Sequence, residues 1–210
     1  MPVPKPTYIY RLIHRENLQI LIDEGKLVAS NFSTNENYIS IGETTLIRQR
    51  GDKQIAIAPF GTMKDYISFY FGMRSPMLYC IKNGFDVQKR PQSEIIYLVG
   101  SVEKVIECNC KYIFTDGHAF TALSRPFNDV KYLDQVDWNA VKLKIWKDTA
   151  DDPDRKRRKE AEFLIHEKLP FEAIIGIVVY NQEANDYISS VLKKSKISLP
   201  IKIIPEWYYL

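Results

Sequence analysis

A glutamate at an abrupt change in chain character has the clearest type and position for chemistry. Glu162 follows the basic run KRRK at residues 156–159 and directly precedes the apolar residues 163–165, FLI. A carboxylate where a buried segment begins is partly removed from water, and its pKa then depends on the charges around it. We expect Glu162 to be held rigidly and open to a cleft. The same pattern is typical of an amphipathic helix with a solvated charged face, so the residues alone leave both interpretations open.

Other catalytic constellations are weak or missing in this sequence. His14, His118 and His166 are widely spaced and lack a second ligand three or four residues away, which argues against a zinc site. No GxSxG nucleophile motif, GxGxxG dinucleotide motif or GxxxxGK[ST] phosphate loop occurs. Glu160 and Glu162 could form the carboxylate pair of a glycoside hydrolase, and that alternative stays open.

The composition predicts one domain that works inside the cell. A chain of 210 residues with 45% hydrophobic content can bury a sizeable core. It has no apolar run of membrane-spanning length, and the start MPVPKP lacks the apolar region of a secretory signal, so we expect a cytoplasmic protein without a membrane segment. Cys80, Cys108 and Cys110 lack the CxxC spacing of a metal or redox pair and are interpreted as reduced structural thiols.

The charge distribution is more informative than its sum. The formal net charge of +3 does not by itself indicate nucleic acid. Five consecutive basic residues at 155–159 nevertheless follow the acidic patch 148–154 and stand beside the candidate carboxylate. A local basic patch in that position is compatible with a polyanionic substrate.

Periodicity and turn residues predict a mixed α+β fold with a largely antiparallel sheet. Strands are expected at 8–14, 26–29, 65–71, 94–99, 112–115, 162–166, 174–180 and 201–204. Helices are expected at 18–22, 77–81, 133–146 and 186–194. Asn17 is predicted to cap the first helix and Gly25 to end it, whereas Ser75 or Pro76 begins the second and Gly84 ends it. The strands are not separated by regular crossover helices, which disfavours a doubly wound parallel sheet.

Several motifs together, in their order and spacing, resemble one family. They are YRLIH at 10–14, NL at 17–18, GKL at 25–27, DY at 65–66, FYF at 69–71, RSPMLY at 74–79, FTDGH at 114–118, DW at 137–138 and EAEFL at 160–164. The chain resembles, over nearly its whole length, DarT, the DNA ADP-ribosyltransferase toxins of the DarT–DarG toxin–antitoxin systems. Each motif alone is a weak signal.

The resemblance implies an ADP-ribosyltransferase-like fold, with a split, mostly antiparallel sheet, flanking helices and a cleft that holds NAD without a dinucleotide motif. It implies a single domain over residues 1–210. Within it, residues 30–61 would be the NAD-binding loop element and residues 116–161 the substrate-binding loop region. Long loops inside a compact domain are usually functional or disordered, which fits the assignment of these long polar stretches to a site.

The resemblance also assigns catalytic residues. Glu162 falls on the catalytic glutamate, which would stabilise an oxocarbenium-like ribose and help remove a proton from the acceptor base. A basic group within 155–159 is expected to keep Glu162 ionised. Arg50 falls on the arginine that would meet the NAD pyrophosphate or activate the acceptor, and it is preferred to Arg48, two residues away.

For nicotinamide, the resemblance implies contacts from the first strand, at Arg11, Leu12 and Ile13. Many relatives have histidine where this chain has Arg11, so the implied role belongs to the backbone. Val28 is expected to line the same pocket, and a plain core position is the alternative.

For DNA, the resemblance implies contacts at Tyr70, Arg74, Met77, His118 and Lys156. An aromatic ring or a methionine suits an unstacked base, whereas arginine and lysine suit phosphates. Core packing is the alternative for Tyr70 and Met77. Because an enzyme that modifies a base edge needs that base out of the duplex, single-stranded DNA is the easier substrate.

The implied activity is transfer of ADP-ribose from NAD, as co-substrate and without a metal, to thymine in single-stranded DNA in a sequence-dependent way. The implied partner is a DarG-like macrodomain antitoxin in a bacterial cytoplasm. Three alternatives remain: a guanine-directed enzyme, a protein- or RNA-directed ADP-ribosyltransferase of the same fold, and a silent nucleic-acid-binding module. The last is favoured if Glu162 and Arg50 lie far apart.

Overall fold

The structure is a computed structural model and describes residues 1–209. The strands of the described chain are β1 (Tyr8–His14), β2 (Lys26–Val28), β3 (Tyr66–Tyr70), β4 (Ile95–Ser101), β5 (Tyr112–Thr115), β6 (Pro126–Phe127), β7 (Glu162–His166), β8 (Lys168–Pro170), β9 (Gly176–Val179) and β10 (Ile201–Ile203). The α-helices are α1 (Asn17–Glu24), α2 (Thr44–Gly51), α3 (Pro76–Asn83), α4 (Val102–Glu107), α5 (Arg155–Lys159) and α6 (Gln182–Lys194).

Eight strands form one sheet in the order β10-β9-β4-β1-β3-β7-β5-β6, and β2 pairs with β8 in a separate ribbon. The pairing of β10 with β9 is parallel, whereas the other pairings in both sheets are antiparallel. The predicted α+β class with a mostly antiparallel sheet and flanking helices is therefore confirmed.

The large sheet opens between β1 and β3. Strand β1 pairs with β4 along its whole length, from Tyr8 to His14. Against β3 it makes one recorded pair, Tyr10 with Tyr70. Beyond Tyr10 the two strands separate, so the backbone of β1 between Arg11 and His14 faces an opening instead of a neighbouring strand. This is the predicted split in the sheet.

The two faces of β3 and β7 have different tasks because side chains alternate along a strand. Ile67, Phe69, Phe163 and Ile165 belong to the main core and are at most 2% exposed. Full burial of such a side chain contributes about 1.5–3 kcal/mol, so this face anchors both strands. The opposite face carries polar groups, among them Glu162, which lies directly across the ladder from Tyr70.

Helix ends follow the turn residues in most places. Gly25 and Gly84 end α1 and α3 with φ of 64 and 77, the left-handed region that glycine enters without strain. Ser75 accepts a hydrogen bond from the backbone N–H of Leu78 and so caps α3, as predicted. The prediction for Asn17 is wrong, since it lies inside α1 and its amide side chain exchanges two hydrogen bonds of 2.8 Å with the backbone of Ile39.

Two long segments differ from the helix predictions. Residues 133–146 form 3-10 turns at Val130–Gln135 and Ala140–Lys142 followed by chain without helix or strand, not the helix that their apolar spacing predicts. The polar segment 30–61 contains α2, which was not predicted because its only buried residue is Gly51, so it shows no apolar stripe. The basic residues 155–159 form the short helix α5 instead of an open loop.

Candidate active site

The opening between β1 and β3 is a cavity of about 400 Å³, a size typical of small-molecule sites. Its walls come from α1, β1, β2, β3, α2, the start of α3 and the segment 29–42 between β2 and α2. Of the residues predicted to bind NAD or DNA, those lining it are Arg11, Leu12, Val28, Arg50, Tyr70 and Met77. The structure thus brings these residues to one place from five separate elements.

Arg50 lines this cavity and pairs with Glu162, which lies behind it and does not line the cavity, although the two are 112 positions apart in the chain. Arg50 Nη2 donates to Glu162 Oε2 at 2.7 Å, and the backbone N–H of Ala119 donates to Glu162 Oε1 at 2.9 Å. The Glu162 side chain is 0% exposed and that of Arg50 is 16% exposed. The expectation that Glu162 is open to the cleft is wrong here, because Arg50 and the loop at Ala119 cover it.

The electrostatics keep the Glu162 carboxylate ionised. Burial alone would raise its pKa, but the charge of Arg50 and the hydrogen bond from the N–H of Ala119 lower it below its ordinary value. Burial would lower the pKa of Arg50, whereas the charge of Glu162 raises it, so the guanidinium stays protonated. The predicted source of this stabilisation, a basic group within 155–159, is wrong: Arg50 of α2 is the principal one.

His118 is the third member of this cluster. Its Nε2 lies 3.3 Å from Arg50 Nη1 and 3.8 Å from Glu162 Oε1. Guanidinium has no acceptor, so Nε2 accepts from Arg50. Burial lowers the pKa of His118 despite the opposing charge of Glu162, which leaves the ring neutral near pH 7. A neutral ring fits that accepting role.

Local sequence explains how His118 and Arg50 are presented. The backbone N–H of His118 donates to the carbonyl of Arg157 at 2.8 Å. Gly117 allows this approach, since a Cβ there would lie 2.4 Å from Arg157 Nη1. Arg50 stands in the last turn of α2, which begins where Glu43 accepts from the N–H of Thr45 at 2.6 Å. Arg48 of the same helix is exposed, so the arginine that the structure places against Glu162 is Arg50.

The residues predicted to contact nicotinamide divide by their position on β1 and β2. Arg11 and Leu12 line the cavity, and Arg11 Nη1 crosses the opening to the carbonyl of Ser68 on β3, at 2.8 Å. Val28 lines the cavity from β2. The Ile13 side chain is 1% exposed and belongs to the main core, so the structure does not bring it to the cavity.

The residues predicted to contact DNA occupy a wider area. Tyr70 lines the cavity but is only 8% exposed, and burial beside Glu162 raises its pKa. The Arg74 guanidinium lies 4.8 Å from the ring of Tyr209. The Arg74 backbone has a φ of 56°, a left-handed conformation that is uncommon for a non-glycine residue. Lys156 is exposed, with its Nζ 5.6 Å from the ring of Trp146. Neither Arg74 nor Lys156 lines the cavity itself.

The rest of the basic run is neutralised inside the protein. Arg155 pairs with Asp152 at 3.0 Å, Arg157 pairs with Asp154 at 2.7 Å and with Asp116 at 3.1 Å, and Arg158 pairs with Asp137 and Asp152. Lys159 is 2% exposed and its Nζ donates to the carbonyls of Met73 at 2.7 Å and Val141 at 2.5 Å. Lys156 is therefore the exposed residue of α5 with no carboxylate partner among residues 1–209.

Two further charged groups lie next to the cluster: Lys53, which the sequence did not single out, and Glu160, which it offered only as half of a carboxylate pair. Lys53 Nζ donates to the carbonyl of Ala119 at 2.6 Å, and burial together with Arg50 lowers its pKa. Glu160 is 7% exposed, and burial raises its pKa to about 7 against the opposing charge of Lys156. The spacing of Glu160 and Glu162 was the signal for the second carboxylate.

The described residues show no cluster for a metal and no membrane helix. Within residues 1–209 no three His, Cys, Asp or Glu side chains come close enough to hold a metal ion. None of the helices in the same residues is long and apolar enough to cross a membrane.

Comparison with known proteins gives concordant results. Residues 10–209 match the family described as DarT, ssDNA thymidine ADP-ribosyltransferase. A DNA ADP-ribosyl transferase of Thermus sp. (strain 2.9) is 34% identical over 208 residues, covering 98% of both chains. One of Escherichia coli O127:H6 (strain E2348/69 / EPEC) is 30% identical over 207 residues, covering 98% of this chain and 95% of that protein.

Solved structures agree. Thermus sp. 2.9 DarT in complex with ADP-ribosylated ssDNA superposes with a TM-score of 0.92 at 32% identity, covering 100% of this chain and 99% of the other. The same protein in complex with NAD+ gives a TM-score of 0.87 at 32% identity, covering 99% and 100%. A split antiparallel sheet, an arginine and a buried carboxylate at one cavity, and a family match over residues 10–209 lead to one conclusion: the chain belongs to the DarT family of ssDNA thymidine ADP-ribosyltransferases.

Proposed function

We propose that this protein transfers ADP-ribose from NAD to thymine in single-stranded DNA and releases nicotinamide. The observation that carries the proposal is the Arg50–Glu162 ion pair at the wall of the split-sheet cavity, with N–O separation of 2.7 Å. It supplies one permanent cation for an anionic substrate and one ionised carboxylate for a developing cation. The relatives with solved structures carry NAD+ or ADP-ribosylated ssDNA, which supports both substrates.

The residues fit a dinucleotide in the cavity. The guanidinium of Arg50 offers forked, permanently charged donors suited to a pyrophosphate. The backbone of β1 at Arg11 and Leu12 faces the opening, where its polar groups suit the carboxamide of nicotinamide. Val28 adds an apolar wall from β2. NAD supplies the ADP-ribosyl group, with nicotinamide as its leaving group.

The chemistry that the residues support is stabilisation of positive charge. Because its pKa is lowered, Glu162 is ionised at neutral pH and favours an oxocarbenium-like ribose over the ground state. That role requires Arg50 to turn from Glu162 toward the phosphates or the acceptor base, so that the carboxylate faces the cleft. Neutral His118, beside both side chains, is placed to hold the acceptor base or its proton.

The geometry disfavours the silent binding module, which would be expected to hold Glu162 and Arg50 far apart. The choice of thymine over guanine rests on the family description. We further propose that residues 1–210 act as one domain, in which residues 30–61 bind NAD and residues 116–161 bind DNA. The enzyme would act in a bacterial cytoplasm. A DarG-like macrodomain antitoxin would remove the modification. That antitoxin should release ADP-ribose from the modified strand.

The test is an assay with labelled NAD and single-stranded oligonucleotides, read by mass spectrometry of the digested product. We expect the label on thymidine, and we expect Glu162→Gln to lower the rate by roughly 10²–10³-fold or more, since one preorganised electrostatic group is worth that much. Glu172→Gln, at an exposed glutamate, is the matched control and should keep full activity. Label on an oligonucleotide that lacks thymine, or on protein alone, would overturn the proposed acceptor.

A further inference from the structure

An exposed segment next to the site carries basic and apolar residues in close succession. Residues 142–147, KLKIWK, start at the last residue of the turn Ala140–Lys142 and continue without helix or strand, with a bend at Lys144, and we call them the lysine strip. Lys142, Lys144 and Lys147 are exposed. None of the three pairs with a carboxylate within residues 1–209, and the one polar contact of Lys142 there is with Met1 Sδ at 3.1 Å. The strip therefore presents three positive charges to solvent.

The apolar members of the strip are as unusual as its lysines. Leu143 is 39% exposed and Ile145 is 67% exposed, although each is a large hydrophobic residue. Exposed lysines and exposed apolar residues alternate along the strip, so it offers ammonium groups and apolar surface close together. This combination suits a partner that has both anionic groups and flat apolar rings.

Trp146 fixes the strip beside the substrate cavity. Its ring packs edge-on against Tyr79 of α3, with centroids 5.8 Å apart, and Met77 of the same helix lines the cavity. On another side, Lys156 Nζ lies 5.6 Å from the Trp146 ring. The strip is thus tied to two residues that the sequence analysis assigned to DNA.

Lys156 connects the strip with the catalytic cluster. Its positive charge adds to the burial that lowers the pKa of His118 and opposes the burial that raises the pKa of Glu160, so it acts on both groups. His118 in turn contacts Arg50 and Glu162. The cations of this area are Lys156 and the strip lysines, and Asp148, whose carboxylate accepts from the backbone N–H of Lys156 at 2.7 Å, is an exposed anion beside them.

We propose that the lysine strip and Lys156 bind the phosphates of single-stranded DNA outside the modified nucleotide, with Leu143 and Ile145 against the faces of flanking bases. The inference rests on the proposed function, in which a DNA base is the acceptor. Lysines that neutralise phosphates release counterions and supply affinity without sequence preference, and apolar side chains accept any base face. The strip would thus set how well long strands bind, while the cavity selects the base.

The experiment compares Lys144→Gln/Lys147→Gln with Lys193→Gln/Lys194→Gln, two exposed lysines at the end of α6. Both double variants lower the formal net charge from +3 by two. Binding of a fluorescent twenty-nucleotide single strand, with thymine, is measured by anisotropy from 50 to 200 mM salt. We expect the strip variant to bind roughly tenfold more weakly than the unmodified protein at 50 mM salt. Its loss of affinity between 50 and 200 mM salt should be about sevenfold smaller, because two phosphate contacts contribute about 1.4 to the slope of log affinity against log salt.

Two activity measurements separate the strip from the catalytic cavity. For the strip variant, we expect the KM for the twenty-nucleotide strand to rise by a similar factor, with the rates of NAD hydrolysis and of modification of a five-nucleotide strand unchanged. The α6 variant should match the unmodified protein throughout.

Equal affinity and salt slope in the two double variants would overturn the proposed surface. If a DarG-like macrodomain then binds the strip variant less well, the strip is assigned to a protein partner instead. The anisotropy test needs no turnover. If the unmodified protein binds the strand through the strip but labels no DNA, the proposed function fails and the binding surface stands.

Discussion

Two basic regions of this protein, residues 155–159 and the lysine strip at 142–147, differ in what surrounds them. The first has five consecutive basic residues, the second three lysines among apolar residues. In the folded protein, Arg155, Arg157 and Arg158 all pair with aspartates and Lys159 is buried on backbone carbonyls. The lysines of the strip remain exposed and unpaired with carboxylates in the described residues.

The difference teaches that the density of basic residues in a sequence is a poor measure of the charge a surface presents. The acidic patch before α5 folds back onto it, so Asp152 and Asp154 neutralise arginines three residues further on. The arginines then hold the loop of His118 in place, through Arg157 and Asp116. Region 155–159 is mainly structural, whereas the strip and Lys156 are free to meet a polyanion.

The largest expected effect tests the structural side of the comparison. Arg157→Ala should lower the free energy of unfolding by about 1.5–3 kcal/mol, because it removes one of the two arginine partners of Asp116, whose side chain is only 9% exposed and which keeps Arg125. Urea unfolding at neutral pH measures the change. Lys147→Ala, in the strip, is the control and should change that free energy by less than about 0.5 kcal/mol. Equal losses in the two variants would remove the distinction between the regions.

The second prediction concerns the buried lysine of α5. Burial, with the nearby charge of Arg74, lowers the pKa of Lys159 from 10.5 to about 8, while Glu160 opposes the shift. Between these values the unfolded chain binds more protons than the folded one, so this lysine makes stability rise with pH. The contribution is about 2 kcal/mol from pH 8 to pH 10.

Urea titrations at pH 8, 9 and 10 measure this rise. Between pH 8 and pH 10 the free energy of unfolding of Lys159→Met should rise by about 2 kcal/mol less than that of the unmodified protein. Lys144→Met, in the strip, should keep the full rise. Parallel curves for Lys159→Met and the unmodified protein would show that Lys159 is not desolvated.

The smallest effect separates two neighbours within α5. Lys156→Ala should weaken binding of a single strand by roughly threefold and lower its salt slope by about 0.7, the value of one phosphate contact. Its free energy of unfolding should stay within about 0.5 kcal/mol. Arg155→Ala is the matched control, since Arg155 is already paired with Asp152 and should leave DNA affinity unchanged. Equal weakening by both would mean that the whole run faces DNA.

How far the fold could be predicted depended on local physics. Strands at 112–115 and 162–166 were predicted with their observed bounds, since both are short apolar runs beside polar or turn residues. Glycine marked the ends of α1 and α3 because few other residues enter the left-handed region. Helix α2 was missed because it lies almost wholly on the surface, and residues 133–146 were predicted helical because buried Val136 and Val141 mimic helical spacing.

The sequence by itself determined the fold class, the family and the candidate carboxylate, because motif order and apolar periodicity are properties of the chain. Only the tertiary structure decided that Arg50 rather than Arg48 meets Glu162 and that Ile13 faces the core. It also decided which lysines remain unpaired. The physical reason is that pairing and burial depend on residues far apart in the chain, such as the 112 positions between Arg50 and Glu162.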